Sequence, residues 1–350
     1  MDLITVDFET YYDKDFSLRK MTTESYIRDP RFEVIGVGVK VNNGDTEWAS
    51  GTHEDIKRYL HTFDWENSVL LAHNTLFDGA ILSWLFDVHA RIYTDTLCIA
   101  RALHGVEVGG SLAALATRYG VGEKGTEVLD ALGKRREDFT ESELDKYGDY
   151  CVNDVELTYK LFNRMGKGFP KGELRLIDCT LRTFVEPILE LDLGLLEHHL
   201  ENTKQLKEDL ITSSGVTKKE LMSNPKFAEL LVGLDVIPPM KTSLTTGKQT
   251  YAFAKNDEQF KALLDHPDPY VQTLVASRLG TKSTLEEART ERFIGIAKRG
   301  LMPVPIRYYA AHTGRWGGDD KINIQNLPSR GVNGKKLKNS MLAPEGYMMV

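Results

Sequence analysis

Residues 3–9 read LITVDFE, a run of β-branched and aromatic residues that ends on two acids. Such residues favour strands, and successive side chains of a strand point to opposite faces. We therefore expect Val6 and Phe8 to face a hydrophobic core, and Asp7 and Glu9 to lie together on the opposite, open face. Acids two apart at a strand end are also common as solvated charge, so this stretch indicates a metal site only in combination with others.

A second acid follows another predicted strand. The apolar run SVLLA at 68–72 is typical of a buried strand, and HNTLFD at 73–78 comes directly after it. Asp78 opens a helical stretch, where it also fits a simple helix cap. Asn74, at the strand end, can cap a turn or hydrogen-bond a substrate.

The third segment, YCVND at 150–154, lies inside a long helix predicted from Glu141 to Met165. Tyr150 and Asp154 are four residues apart, so they share one face of that helix. A half-buried tyrosine beside an exposed acid is the simpler interpretation of this pair alone.

Taken together, the three segments indicate a metal site. Four carboxylates, from Asp7, Glu9, Asp78 and Asp154, would carry a charge of about −4 and repel one another in a packed site. Two divalent cations would balance that charge, and oxygen ligands favour Mg²⁺ or Mn²⁺. Two such ions can activate a water and stabilise the leaving oxygen of a phosphodiester. The set predicts a two-metal nuclease in which Tyr150 orients the attacking water.

The motifs VDFE, HNTLFD and YCVND resemble the three exonuclease motifs of the DEDD superfamily. Asp149 stands where the histidine branch of that superfamily has its histidine, so the tyrosine branch is the better match. The resemblance implies 3′→5′ exonuclease activity and an α/β, ribonuclease H-like domain, in which helices flank a mixed sheet. The stretches DFETYYDKDFSLRKMTTESYIRDPRFEVIGVGV and TDTLCIARAL look like the exonuclease of bacteriophage-type DNA polymerase I, and the resemblance covers most of residues 1–165.

The tail HTGRWGGDDKINIQNLPSR at 312–330 resembles the stretch that leads into the palm of family A DNA polymerases, although Trp316 replaces a small hydroxyl residue after TGR. The resemblance implies that Arg315 reaches the minor groove of a primer–template duplex, and that Gln325 and Asn326 lie near it. It also implies DNA as the partner, both as a single-stranded 3′ end and as a duplex. Residues 170–300 look like the thumb and its flanks, and there Arg278 and Lys282 fall where the family has basic residues near the primer strand. With Asn74 of the second motif, the expected DNA-binding residues are Asn74, Arg278, Lys282, Arg315, Gln325, Asn326 and Arg330.

We expect three regions: an exonuclease domain at 1–165, a mostly helical, thumb-like region at 166–300, and the beginning of a palm at 301–350. In the family, the apolar strand after APEGY leads to the first polymerase carboxylate, which is expected about three residues beyond Val350 by the resemblance. This chain alone is therefore not expected to polymerise. A second polypeptide carrying the rest of the palm and fingers, and a longer parent protein, are both open at this point.

Bulk properties narrow the class of protein. The 350 residues contain no apolar run of membrane-spanning length, and the three cysteines suit a reducing cytoplasm, that of the host if the protein is viral. Residues 1–165 carry 18 Lys and Arg against 29 Asp and Glu, whereas residues 269–350 carry 13 against 6. That asymmetry favours a metal site in the acidic N-terminal part and a phosphate-binding surface in the basic C-terminal part. Alternatively, the uneven distribution of solvent-exposed charge arose by chance. A free-standing DEDD nuclease acting on DNA or RNA, and a non-catalytic primer–template-binding subunit, remain alternatives.

Overall fold

The computed structural model describes residues 1–125, 131–243, 245–282, 285–327 and 335–348. The chain folds into two compact units. The first comprises Met1–Glu190, Arg299–Leu327 and residues 343–348, and the second comprises Leu191–Lys298 and residues 335–342. The division of function predicted at 165 and 300 stays a prediction.

A five-stranded mixed sheet forms the centre of the first unit. Its strands are β1 (Asp2–Thr10), β2 (Val34–Val41), β3 (Thr46–Ala49), β4 (Ser68–Ala72) and β5 (Ile92–Asp95), in the order β3-β2-β1-β4-β5. β1 and β2 pair antiparallel, as do β2 and β3, whereas β4 is parallel to both β1 and β5. This sheet confirms the predicted α/β class. The short strands β3 and β5 were not predicted.

Helices flank the sheet of the first unit. They are α1 (Thr23–Ile27), α2 (His53–Leu60), α3 (Thr75–Phe86), α4 (Thr96–His104), α5 (Leu112–Tyr119), α6 (Glu141–Met165) and α7 (Lys171–Val185). α6 has the predicted bounds and begins at a capping box between Thr140 and Glu143. The Gly- and Pro-rich stretch after it is a turn into α7, whose buried residues Ile177 and Phe184 join the same hydrophobic core.

One glycine of β2, Gly38, allows α6 to come close to the sheet. Gly38 lies opposite Asp7 in the register of the sheet, and Gly36 lies opposite Glu9. A Cβ at Gly38 would lie only 2.9 Å from Val155 and 3.0 Å from Cys151, both on α6. The face that carries the acids is therefore covered by α6, whereas the sequence predicted an open face.

The second unit has a hydrophobic core of its own, with Phe227, Phe253 and Phe260 buried at its centre. Its helices are α8 (Leu193–Ser214), α9 (Lys218–Met222), α10 (Asn224–Val232), α11 (Glu258–Ala262) and α12 (Pro269–Lys282), followed by α13 (Leu285–Arg299). Pro225 lies in the first turn of α10, where no backbone N–H is needed.

Short strands and one short helix complete the described structure. They are β6 (Glu190–Leu191), the hairpin of β7 (Met240–Thr242) and β8 (Gln249–Tyr251), β9 (Ile306–Arg307), β10 (Gly317–Gly318), α14 (Lys336–Asn339) and β11 (Met341–Leu342). Within the described residues, no helix combines the length and the apolar character that crossing a membrane requires.

Candidate active site

β1 brings two carboxylates side by side under α6. Ligand-capable atoms of Asp7, Glu9 and Cys151 all lie within 4.8 Å of one another. Glu9 is 8% exposed, and its Oε2 accepts a hydrogen bond of 2.6 Å from the hydroxyl of Tyr147. The strand thus places both acids on one face, as its period of two requires.

Asp78 joins this pair from α3. The helix begins after Asn74, which adopts a left-handed conformation with φ of 80°, so Asp78 lies inside the first turn and does not cap the helix. Its buried Oδ1 accepts the backbone N–H of Phe8 at 3.1 Å. Since Phe8 lies between Asp7 and Glu9 on β1, this bond fixes the third carboxylate next to the first two.

The fourth carboxylate comes from α6. Tyr147, Tyr150, Cys151 and Asp154 recur at three- and four-residue spacing, which places them on one face of the helix above β1. Asp154 is buried and forms an ion pair with Lys124, whose ammonium also lies 4.7 Å from the centre of the Tyr150 ring.

The carboxylates raise one another's affinity for protons. Burial raises the pKa of Asp7 to about 7, and the negative charge of Asp154 adds to the effect. Burial also raises the pKa of Glu9 and of Asp78 well above the usual values, and Asp7 adds to both shifts. A cluster whose members repel so strongly is suited to a bound cation of high charge, so the donor set fits divalent metal.

Cys151 acts as a hydrogen-bond donor in this cluster. Its Sγ lies 3.3 Å from the carbonyl oxygen of Asp7 and 3.6 Å from the Oδ2 of the same residue. Burial and the nearby Asp7 raise the pKa of this thiol well above its usual value, which keeps it protonated. The other atoms of the cluster that could bind a metal are carboxylate oxygens, the ligands that Mg²⁺ and Mn²⁺ prefer.

Tyr150 is held in its neutral form. Burial raises the pKa of its hydroxyl, and the charges of Asp154, Glu9 and Asp7 raise it further. The side chain can therefore donate a hydrogen bond beside the carboxylates but cannot serve as an ionised base.

Residues 15–169 match the family model of the 3′-5′ exonuclease domain found in DNA polymerase A proteins. Residues 15–169 therefore form a 3′-5′ exonuclease domain of the type that this family model describes. The match includes Asp78, Tyr150 and Asp154, whereas Asp7 and Glu9 precede it. The fold is what brings these two acids to the other three residues.

The whole chain also resembles a solved polymerase structure. The polymerase domain of Pol1 from M. smegmatis, in complex with a DNA primer-template and dNTP, superimposes with a TM-score of 0.63 at 17% sequence identity. The similarity covers 99% of this chain and 56% of that one, so this chain spans little more than half the length of its relative. At this identity the similarity establishes a shared fold.

Three residues of the candidate site were not predicted from sequence: Tyr147, Cys151 and Lys124. Tyr147 could have been predicted, because it precedes Tyr150 by three residues and so lies on the same helical face. Nothing in the sequence connects Lys124 with Asp154, since the segment that carries the lysine comes from outside α6.

The residues predicted to bind DNA differ in their surroundings. Asn74, Lys282, Arg315, Gln325 and Asn326 are all exposed. The backbone N–H of Asn74 donates to the buried Asp95 at 3.2 Å, which leaves its side-chain amide at the surface. Exposure permits contact with DNA, and the predicted contacts stay predictions.

Arg278 is placed differently. The residue is fully buried in the second unit, where its guanidinium bonds the carbonyl oxygens of Leu221 and Ser223 and lies 4.4 Å from the ring centre of Phe227. Such burial gives Arg278 a structural role and does not favour the predicted contact with a primer strand. Arg330, also predicted to bind DNA, lies outside the described residues.

Proposed function

We propose that the exonuclease domain removes nucleotides from the 3′ end of DNA by two-metal hydrolysis. In this proposal Asp7, Glu9, Asp78 and Asp154 bind two Mg²⁺ or Mn²⁺ ions, and Tyr150 acts beside them. The observation that carries it is the convergence of four carboxylates from β1, α3 and α6 on one cluster. Proofreading, as a part of a family A polymerase, is the role this activity would serve.

Three of the four carboxylates are each oriented by a different hydrogen-bond donor. The hydroxyl of Tyr147 holds one oxygen of Glu9, the N–H of Phe8 holds one oxygen of Asp78, and the thiol of Cys151 lies against Asp7. Fixed ligands lower the reorganisation needed when a cation binds, which is the function of such outer contacts in metal sites. When bound, the cations would supply the charge that activates water and stabilises the leaving 3′ oxygen.

Tyr150 would orient the attacking water. Its neutral hydroxyl can donate or accept a hydrogen bond, and the surrounding acids hold it neutral by raising its pKa. No ionisable base is required of the chain in this scheme.

The substrate proposed is a single-stranded 3′ end of DNA. Asn74 is exposed at the N-terminus of α3, one turn before Asp78, and its side-chain amide can bond the last nucleotides. The alternative of a nuclease acting on RNA differs in one measurable respect, because 2′-hydroxyl groups would then be tolerated at the cleaved end.

The test compares the wild type with the double variant Asp7→Ala, Glu9→Ala and with the single variant Asp149→Asn. Asp149 is exposed on α6 next to Tyr150 and stands outside the acidic cluster, so it is the matched control. With Mg²⁺ and a 3′-labelled DNA single strand, the double variant should lose at least about a thousandfold in rate, while the control retains activity. Equal rates for the double variant and the wild type would exclude the assignment.

Binding of a primer–template duplex is a second proposed function. The residues that support it are exposed in the first unit: Arg315 in the loop after β9, and Gln325 and Asn326 in the turn beyond β10. The Trp316 indole donates to the hydroxyl of Thr180 at 3.0 Å, which fixes the loop that carries Arg315. An exposed arginine and amides on a fixed loop are suited to phosphate and minor-groove contacts.

A further inference from the structure

A lysine lies inside the acidic cluster. The ammonium of Lys124 forms an ion pair with Oδ2 of Asp154 and lies over the ring of Tyr150, 4.7 Å from its centre. The side chain of Lys124 is 26% exposed, whereas that of Asp154 is 4% exposed. The lysine thus bridges solvent and the buried carboxylates.

α6 itself holds the segment that carries this lysine. The side-chain amide of Asn153 donates to the carbonyl oxygen of Glu123 at 2.9 Å. Gly122 packs against α6 as well, since a Cβ there would lie 2.8 Å from Leu157. Asn153 has no part in the proposed chemistry. Through its bond to Glu123, it positions Lys124 against Asp154, the residue that follows Asn153.

The charge of the lysine extends over most of the cluster. Burial raises the pKa of both Asp7 and Glu9, and the ammonium of Lys124 acts against that increase at each of them. A single positive charge offsets part of a cluster of four carboxylates, which is costly to bury unneutralised.

We propose that Lys124 is a built-in counter-ion of the exonuclease site, which pairs with Asp154 in the metal-free protein and releases that carboxylate when a divalent cation binds. This inference rests on the proposed function, because it takes Asp154 to be a metal ligand. The ammonium and a divalent cation repel each other and compete for the same oxygen, so both cannot bind it fully. The flexible four-carbon stem and the partly exposed position allow the ammonium to turn toward solvent.

Two consequences follow for metal-free and metal-bound protein. Without metal, the lysine stabilises the fold by reducing repulsion among the carboxylates. With metal, the same lysine lowers the affinity of the site, since its contact with Asp154 has to be broken first. A variant without the charge should therefore unfold more readily without metal and bind metal more tightly.

The experiment titrates the metal-free protein with Mn²⁺ in a calorimeter and needs no DNA. Lys124→Met removes the charge and keeps most of the stem, Lys124→Arg keeps the charge, and Asn153→Ala loosens the segment without touching the cluster. We expect about three- to tenfold tighter binding for Lys124→Met, wild-type affinity for Lys124→Arg, and a smaller gain for Asn153→Ala. Melting in EDTA should occur at a lower temperature for Lys124→Met than for the wild type.

The outcomes separate this inference from the proposed function. Equal or weaker Mn²⁺ binding by Lys124→Met, with Mn²⁺ bound by the wild type, overturns the inference and leaves the metal site standing. Absence of Mn²⁺ binding by the wild type and by every variant overturns both. Should Lys124→Met fail to fold, Asn153→Ala decides: unchanged Mn²⁺ affinity in that variant also overturns the inference.

Discussion

The hydroxyl of Tyr147 donates a hydrogen bond of 2.6 Å to Oε2 of Glu9, and this bond joins α6 to β1 inside the candidate active site. Burial raises the pKa of Tyr147, and the charge of Glu9 raises it further, so the residue remains a donor. The bond is charge-assisted, of the kind that contributes about 1.5–3 kcal/mol. Its function would be to hold Glu9 in position for a cation.

The first prediction concerns that bond. In Tyr147→Phe the carboxylate of Glu9 loses its donor, so we expect the Mg²⁺ concentration needed for half-maximal hydrolysis to rise about tenfold. The maximal rate at saturating Mg²⁺ should change little. Tyr150→Phe should show the reverse pattern, a lower maximal rate at an unchanged Mg²⁺ requirement. Metal titrations of the hydrolysis rate measure both quantities, and identical behaviour of the two variants would contradict the separate roles.

The second prediction uses two glycines, both in helices. A Cβ at Gly148 of α6 would lie 2.6–2.8 Å from the indole of Trp48, whereas a Cβ at Gly172 of α7 would meet no atom of the described residues within 4 Å. Gly148→Ala should therefore destabilise the protein by about 1–3 kcal/mol through overpacking. Gly172→Ala should be neutral or stabilising by up to about 1 kcal/mol, because alanine favours helix. Denaturant unfolding measures both; equal stability of the two variants would show that Trp48 yields to the added methyl group.

The third prediction is a pH dependence of the metal-free protein. Asp7 has an ordinary pKa of 3.8 and one of about 7 in the folded state, so the folded protein keeps a proton that the unfolded chain releases. Its contribution to stability is therefore complete below about pH 4 and is lost as the pH rises to about 7. Glu9 and Asp78, whose pKa values are also raised, act in the same direction.

Melting temperatures in EDTA, taken from about pH 5 to about pH 8, measure this effect. The wild type should melt at progressively lower temperature over that range, and Asp7→Asn should show a smaller fall because position 7 no longer titrates. Asp149→Asn, exposed on α6, serves as the control and should follow the wild type. A wild type that gains stability as the pH rises, in the absence of metal, would contradict the clustering of these acids.

Much of the exonuclease domain could be predicted from its sequence, because local periodicity determined it. The alternation in LITVDFE placed Asp7 and Glu9 on one face, and the helical spacing in YCVND placed Tyr150 and Asp154 on another. The covering of the first face by α6 could not be predicted in this way, because it depends on contacts between Gly38 and residues distant in sequence. The contact between Lys124 and Asp154 is of the same tertiary kind.

The predicted DNA contacts show a different limit. Arg278 carries the charge that a resemblance to polymerases favours, but charge says nothing about burial. Its guanidinium lies 4.4 Å and 4.8 Å from the ring centres of Phe227 and Phe253, which belong to the hydrophobic core of the second unit. A basic residue in a helix can bind a DNA phosphate, or it can form hydrogen bonds inside the protein core. Only the packing around the residue distinguishes the two roles.

The fourth prediction follows from that burial. Arg278→Met removes the donors to the carbonyl oxygens of Leu221 and Ser223 and the contact with two aromatic rings. We expect a loss of about 2–4 kcal/mol in the free energy of unfolding. Lys282→Ala, on the exposed end of the same helix, should stay within about 0.5 kcal/mol of the wild type. Denaturant unfolding of both variants decides the matter, and a wild-type midpoint for Arg278→Met would return this residue to the candidates for DNA contact.

The last prediction tests duplex binding through Arg315. This residue is exposed on the loop that Trp316 fixes to Thr180, so its replacement by alanine should leave the fold and the acidic cluster intact. Affinity for a primer–template duplex should fall about five- to tenfold. The slope of the logarithm of affinity against the logarithm of salt concentration should weaken by about one unit, as for one lost phosphate contact.

Arg118→Ala removes the same charge from the exposed face of α5 and is the matched control. Fluorescence anisotropy over a salt series measures binding, and hydrolysis of a single strand checks that the exonuclease is unaffected. If both variants lose affinity equally, duplex binding depends on overall charge and not on Arg315; if neither does, the duplex lies elsewhere.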